Sequence, residues 1–362
     1  MAEPLSPPRS CDRHLTERVV EVVRRHWNAP RKVERYSRPP KEKVEELARA
    51  ALDTMLTRQY RVGPLPPPEV YDQLLLKVRK KVRKGRPIRI VLGYGPMKNQ
   101  NAVPYSRADW AEFFALCHLV NWHNKVQAVY PPGLEIRIIF DDSTIRMANR
   151  GDPKLMRSYM NSVAEMIQAL GFGSIFLRTF RQSTLAWGMY LGLWQFADWM
   201  VRRWERDPAN KAQLEKMNEY ARRNVVVPPG LSAEEREKYI LEASHRYRVY
   251  WEALQWSLFT KGNFRIIAMY LDGSQHHIRE TCALHLTTLD KGQITQPWQG
   301  QGCLMDNGHG KLEPFVLTAG RQACHRLQTV TGLNLVPLPG FDSIQIATRI
   351  PSEGPPRSPG PE

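Results

Sequence analysis

Two apolar runs near the middle of the chain, "PIRIVL" (87–92) and "LEIRIIF" (134–140), have the length and the β-branched content of buried strands. Between them "SRADWAEFFALCHLVNWHNKVQAVY" (106–130) changes to a helical period, with Trp110, Phe113, Phe114, Cys117, Val120 and Val126 forming an apolar stripe. Ser106 opens this helix, and Asp109 three residues later completes a capping arrangement. A second helix is expected from Pro153 to Leu170, with proline in its first turn. Strand, helix, strand, helix is the order of a parallel α/β sheet.

A long, tryptophan-rich helical section follows at 185–204, 209–223 and 232–259. Its tryptophans recur at helical spacing, which suits a core, although tryptophans also serve as stacking platforms for bases. Strands then return at 264–271, 281–289, 302–306, 313–319 and 343–350, with a helix at 320–331 among them. The pattern predicts an α/β fold with a mixed sheet and a helical insertion. The expected divisions are a proline-rich, charged N-terminal extension (1–68) with short helical patterns at 15–26 and 41–59, a first α/β half (69–180), a helical subdomain (181–260), a second α/β half (261–350) and a tail (351–362) of disordered composition.

The 362 residues, 42% of them apolar, are enough for one large core. No run approaches the ~20 apolar residues of a membrane span, and the N-terminus lacks a secretory apolar block, so a cytoplasmic location is expected. Five cysteines (Cys11, Cys117, Cys282, Cys303, Cys324) are scattered without a C-x-x-C pair, which indicates neither a disulfide framework nor a zinc site. The net charge of +16 attracts phosphates, nucleic acid or an acidic partner without choosing among them. Part of it is concentrated in "KVRKKVRKGRPIR" (77–89), where eight basic residues follow Leu74 and Leu75 and interleave with Val78 and Val82 in an amphipathic helical pattern. Its basic face is either solvated or an anion-binding surface.

Ligands of open α/β sheets collect at the carboxyl ends of the strands. Two loops leave such ends here: "GYGPMKN" after the first strand, and "DDSTIRMANRGDP" (141–153) after the second. Gly93 and Gly95 allow backbone N–H groups to approach an oxyanion, and Lys98 adds a mobile charge, but neither a Walker A ending nor a dinucleotide fingerprint is present. The same residues also suit a plain tight turn. Asp141 and Asp142 are adjacent, so in extended chain one of them faces the crevice as a general base or an ammonium ligand. A strand-end carboxylate capping nearby N–H groups is the alternative. Arg146 and Arg150 can take a second anionic group. His276 and His277, adjacent in "DGSQHHIRE", have poor metal geometry but suit acid or base work.

The order of these pieces resembles the isonitrile (isocyanide) synthase family, also called the pyoverdine/dityrosine biosynthesis family. The likeness is carried by "GRPIRIVLGYGPMKNQN" and "YPPGLEIRIIFDD", in which Pro96, Lys98, Asn101, Tyr130, Pro132, Gly133 and Asp141 or Asp142 stand in the family's motif positions. Looser matches are "YWEALQWSLFTKGNFRIIAMYL" and "TQPWQGQGCLMDNGHGKLEPFVLTAGRQA". Where the family has S-D-G-R this chain has "DDST", and Gln299 replaces the histidine after Trp298. The resemblance implies a Rossmann-like α/β domain with a helical part, and neither a metal nor an organic cofactor. It implies enzymes that replace the two N–H hydrogens of an amino acid's amine with a carbon from ribulose 5-phosphate, beginning with an imine. On that basis Lys98, Asn101, Arg146 and Arg150 would hold phosphate beside Gly93 and Gly95. Asp141 or Asp142 would hold the ammonium, His276 or His277 would move protons, and Trp298 would line the pocket. The expected partners are an amino acid, a sugar phosphate and a downstream oxygenase acting on the product; no membrane is involved. The alternatives are another amine–carbonyl condensation on the same scaffold, or a non-enzymatic basic protein binding nucleic acid or an acidic partner, for which no recognised nucleic-acid motif is present.

Overall fold

The computed structural model of the chain describes residues 13–29, 36–61, 65–98, 106–140, 142, 152–179, 190–225, 227–256, 264–267, 281–283, 297–306, 312–318, 333–338 and 341–349. Its centre is a five-stranded sheet, ordered β3-β2-β1-β4-β5 and parallel throughout. The strands are β1 (Ile88–Tyr94), β2 (Leu134–Phe140), β3 (Ile175–Thr179), β4 (Phe264–Ile267) and β5 (Thr281–Ala283). The expected mixed sheet thus resolves into a parallel sheet and two separate antiparallel pairs: β6 (Gly300–Asp306) with β7 (Leu312–Thr318), and β8 (Leu333–Leu338) with β9 (Phe341–Arg349). The expected helix at 320–331 lies outside the described residues.

Alternation divides β1 and β2 between two cores. Ile88, Ile90, Leu92 and Tyr94, with Leu134, Ile136, Ile138 and Phe140, face the larger one. Helices α4 (Trp110–Val129) and α5 (Pro153–Ala169) line it, and so do α1 (Arg13–His26), α2 (Val44–Met55) and α3 (Pro68–Val82). Val22, Val23, Ala48, Leu52 and Met55 are buried there, so the N-terminal helices complete the core of the α/β domain. In α3 the apolar side read from the sequence, Leu74, Leu75, Val78 and Val82, is buried at 0–2% exposure, while Lys80 is exposed and Lys77, Arg79 and Lys81 are half-buried at its flanks. On the opposite sheet face Val91 and Ile139 meet α6 (Tyr190–Glu205) and α8 (Ala233–Trp256) through Trp194, Ala197, Val201, Val249, Tyr250 and Ala253. Tryptophan use is divided: Trp110, Trp122 and Trp194 are core, whereas Trp199 is 54% exposed, with Arg203 over its ring.

The motif "YPPG" makes the turn from α4 into β2. Gly133 takes φ +59°, where a side chain is strained, and a Cβ there would press on His123. The Tyr130 hydroxyl donates to the Arg86 carbonyl at 2.8 Å and so ties this turn to the start of β1.

Helix α7 (Lys211–Asn224) completes the helical section, which is held by polar contacts as well as apolar ones. His245 of α8 lies between two carboxylates of α6, with Nδ1 at 2.8 Å from Glu205 Oε1 and Nε2 at 2.8 Å from Asp198 Oδ1. Arg202 also binds Asp198, and Arg248 binds Glu205. Hydrogen bonding to Glu205, then to Asp198, raises the imidazole pKa against the opposing effect of burial. A raised folded-state value means that the histidine's contribution is complete below its ordinary pKa and is lost as pH rises through the folded one. The stability advantage of the native protein over His245→Gln, about 1 kcal/mol because water reaches Asp198, is expected to shrink as pH rises above about 6.5. Melting temperatures of both proteins across neutral and alkaline pH check this.

Candidate functional site

In the order β3-β2-β1-β4-β5 the connections run outward in opposite directions from β1, so a crevice opens at the carboxyl ends of β1 and β4. Tyr94 ends β1 there, followed by Gly95. The indole of Trp298 packs on both, its ring 4.5 Å from that of Tyr94. A Cβ on Gly95 would collide with Cδ1, Cγ and Nε1 of that indole. The glycine is therefore required by the approach of Trp298, and Gly93 is a strand residue paired with Ile139.

Three residues beyond Gly95 the chain buries the Lys98 ammonium completely. Its Nζ lies 3.0 Å from Asp109 Oδ2 and 2.7 Å from Glu112 Oε2. It also donates to the carbonyls of Pro297 and Gly300, at 2.9 and 3.0 Å. The expectation that Lys98 holds a substrate phosphate is corrected by this geometry: the ammonium is sequestered among protein oxygens. The helix start is corrected as well. Asp109 is the N-cap, its side chain accepting from Ala111 N–H at 2.8 Å, while Glu112 accepts from Asp109 N–H at 2.8 Å. Ser106 lies before this capping box.

The two carboxylates are also committed on their far sides. Asp109 Oδ1 accepts from Gly302 N–H at 3.0 Å, and Glu112 Oε1 accepts from the Tyr159 hydroxyl at 2.7 Å. Ser162 of α5 donates to the Tyr159 carbonyl and accepts from Ala108 N–H, both at 2.7 Å. Burial first, and then repulsion from Asp109, raise the Glu112 pKa against the pull of Lys98. Burial and the charge of Glu112 hold the Tyr94 and Tyr159 phenols protonated well above the ordinary tyrosine range. One ammonium facing two carboxylates is best balanced when the pair retains a proton, which is the state favoured by the raised Glu112. This buried knot forms the floor beneath the carboxyl end of β1 and joins α4, α5, the Lys98 loop and the 297–302 segment.

The other site residues read from the sequence divide into two groups. Asp142 is half-buried just beyond β2, and Trp298, 5% exposed, stands against the end of β1. Asn101, Asp141, Arg146, Arg150, His276 and His277 lie outside the described residues. Sequence reasoning missed Tyr94, Glu112 and Tyr159, and assigned Asp109 to the wrong capping position. The available signal was Glu112 itself, a carboxylate inside "WAEFFALC", where an apolar surround requires a cation. Among the described residues no group of His, Cys, Asp or Glu has metal-binding geometry, and no helix is long and apolar enough to cross a membrane.

Residues 78–248, which contain β1, Lys98 with its two carboxylates, and most of the helical section, match the pyoverdine/dityrosine biosynthesis protein family, and the resemblance read from the sequence holds over that segment. Among solved structures the fold is similar to that of the PvcA protein from Pseudomonas aeruginosa, with a TM-score of 0.64 at 15% identity, over 84% of this chain and 100% of that one. Two weaker likenesses carry no argument. One is to AlbC, a cyclodipeptide synthase from Streptomyces noursei (TM-score 0.31, 13% identity, 50% of this chain and 82% of that one). The other is to tyrosyl-tRNA synthetase from Archaeoglobus fulgidus (TM-score 0.33, 11% identity, 75% of this chain and 70% of that one). No curated protein matches the chain.

Proposed function

We propose that the chain is a biosynthetic enzyme of the isonitrile-synthase type, joining the amine of an amino acid to a carbon of a sugar phosphate such as ribulose 5-phosphate. The observation that carries this reading is that the family match covers one wall of the crevice: β1 and its exit loop, which flank the point where the strand order reverses, lie within residues 78–248, and β4 on the other side lies just beyond them. In this reading Trp298 and Tyr94 wall the crevice, and Asp142 or its neighbour Asp141 holds the substrate ammonium. Asn101, Arg146 and Arg150 take the phosphate in place of Lys98. His276 or His277 moves protons. Lys98 acts beneath the site, fixing the loop and the Trp298 segment from which the wall is built.

The reaction begins as an imine between amine and ketone, with loss of water; both carbon–carbon bonds to the former ketone carbon then break, the other four sugar carbons and the phosphate leave, and the amine nitrogen ends bearing that one carbon and neither original hydrogen. Incubating the protein with ribulose 5-phosphate and pooled amino acids should therefore yield, by mass spectrometry, an amine that has gained one carbon and lost two hydrogens. The substitutions "DDST" for S-D-G-R and Gln299 for histidine favour a second reading, another condensation in the same crevice. It predicts consumption of the sugar phosphate with a different product. If neither the sugar phosphate nor any amino acid is bound or consumed, both readings fail.

A further inference from the structure

At the opposite end of the sheet, basic side chains gather around one carboxylate. Arg89 and Arg137 both direct Nε to Oε1 of Glu135, at 2.7 and 2.6 Å, and all three side chains are only 21–32% exposed. They share the sheet face that carries Val91 and Ile139 but sit toward the amino ends of β1 and β2. Lys81, in the last turn of α3, is half-buried beside them, and the Arg86 N–H bonds to its carbonyl at 3.1 Å. Burial, followed by the charges of Arg89, Arg137 and Arg86, lowers the ammonium pKa against the attraction of Glu135. Among the described residues that act on Lys81, the half-buried Arg89 and Arg137 and the exposed Arg86 stand with it as four cations against the one carboxylate of Glu135, a surplus of three positive charges within this group.

Such a surplus is costly where water has been partly removed, because like charges are poorly screened there. A multiply charged oxyanion turns the cost into binding energy, and guanidinium forks match phosphate oxygens in geometry. From the rise per residue, Arg89 and Gly95 are about 20 Å apart along the strand direction, so this surface is separate from the crevice.

We propose that Lys81, Arg86, Arg89 and Arg137 form a binding site for a phosphate or pyrophosphate group carried by a small ligand, independent of the crevice at the carboxyl ends of the strands. Arg89 and Arg137 are pre-oriented by Glu135, and Lys81 and Arg86 close the site from the α3–β1 turn. Lys84 of that turn is exposed like Arg86 but is not among the charges that act on Lys81, and it lies outside the site.

Calorimetric titration of the full-length protein with inorganic phosphate and with pyrophosphate at low ionic strength tests the assignment. Pyrophosphate is expected to bind more tightly than phosphate, and Lys81→Met and Arg86→Ala should each weaken it about tenfold, while Lys84→Ala leaves it unchanged. Lys81→Met should also raise the melting temperature of the ligand-free protein, because it removes a repelled charge; this readout separates a binding role from a folding role. Equal binding by the native protein and by the Lys81→Met and Arg86→Ala variants overturns the proposal, as does the absence of binding. A single-stranded oligonucleotide bound with length-dependent affinity, with pyrophosphate ignored, also overturns it and would make the surface a polyanion track.

Discussion

Replacing Lys98 with methionine is expected to destabilise the protein by about 3–5 kcal/mol, the range seen when one partner of a buried ion pair is removed. The ammonium is fully buried and serves two carboxylates and two carbonyls, so its loss leaves four acceptors to find other donors. The negative charge that remains on the Asp109–Glu112 pair is then buried without a cation. Because burial and Asp109 already raise the Glu112 pKa, its neutral form is the one the folded state prefers. A carboxyl raised in the folded state stabilises most below its ordinary pKa and loses that contribution as pH rises through the folded value. The deficit of Lys98→Met should therefore shrink on acidification and grow toward alkaline pH. Adding Glu112→Gln to Lys98→Met should recover part of the loss, because the amide keeps an acceptor for Asp109 N–H without the charge. Urea denaturation of the two single variants and the double variant at several pH values gives the coupling energy directly. A loss under 1 kcal/mol, or one that does not change with pH, would contradict the anchoring role.

Gly302→Ala is expected to cost about 3 kcal/mol or more, at the upper end of overpacking effects. A Cβ at this position would collide with the Ala111 backbone nitrogen and crowd Asp109 Oδ1 and the Trp110 carbonyl carbon, both 2.6 Å away. Two of these are main-chain atoms in the first turn of α4, which rotamer changes cannot move. The substitution also disturbs the N–H bond from Gly302 to Asp109, so it acts on the same knot from its other side. Gly173→Ala is the control, since nothing lies within 4 Å of its Cβ position, and its effect should stay within about 0.5 kcal/mol. Paired urea titrations of the two variants distinguish a specific collision from a general intolerance of alanine.

Much of the scaffold could be read from periodicity alone. β1, β2, α4 and α5 have strong apolar patterns, and their expected bounds agree with the structure to within a few residues. β3 was not anticipated because "IFLRT" is short, follows a glycine-rich turn, and leaves Phe176 48% exposed at the sheet edge. β8 was missed because "LNLVPL" contains a proline, a residue that weakens a strand reading. The start of α4 was misplaced because two overlapping capping patterns, Ser106 with Asp109 and Asp109 with Glu112, are three residues apart; burial and Lys98 select the second. The candidate site was less legible for a different reason. A lysine in a glycine-containing loop at a strand end is chemically suited to phosphate, and local sequence does not reveal that carboxylates and carbonyls will surround it. Two of its four partners come from the chain around residue 300, beyond any local pattern.

That separation affects how the chain reaches its fold. Lys98 bonds to carbonyls 199 and 202 residues away, and Asp109 to an N–H 193 residues away. Pairings so remote form late, after the entropy of closing a long loop has been overcome. While the chain is being synthesised, the first half can form its helices and pair β1 with β2, but the floor of the site still lacks its last donor and acceptors. A fragment ending before residue 297 would carry an incompletely bonded ammonium and two carboxylates into an otherwise apolar core. A fragment able to fold on its own is therefore expected to extend through Gly302, well past the segment that carries the family match.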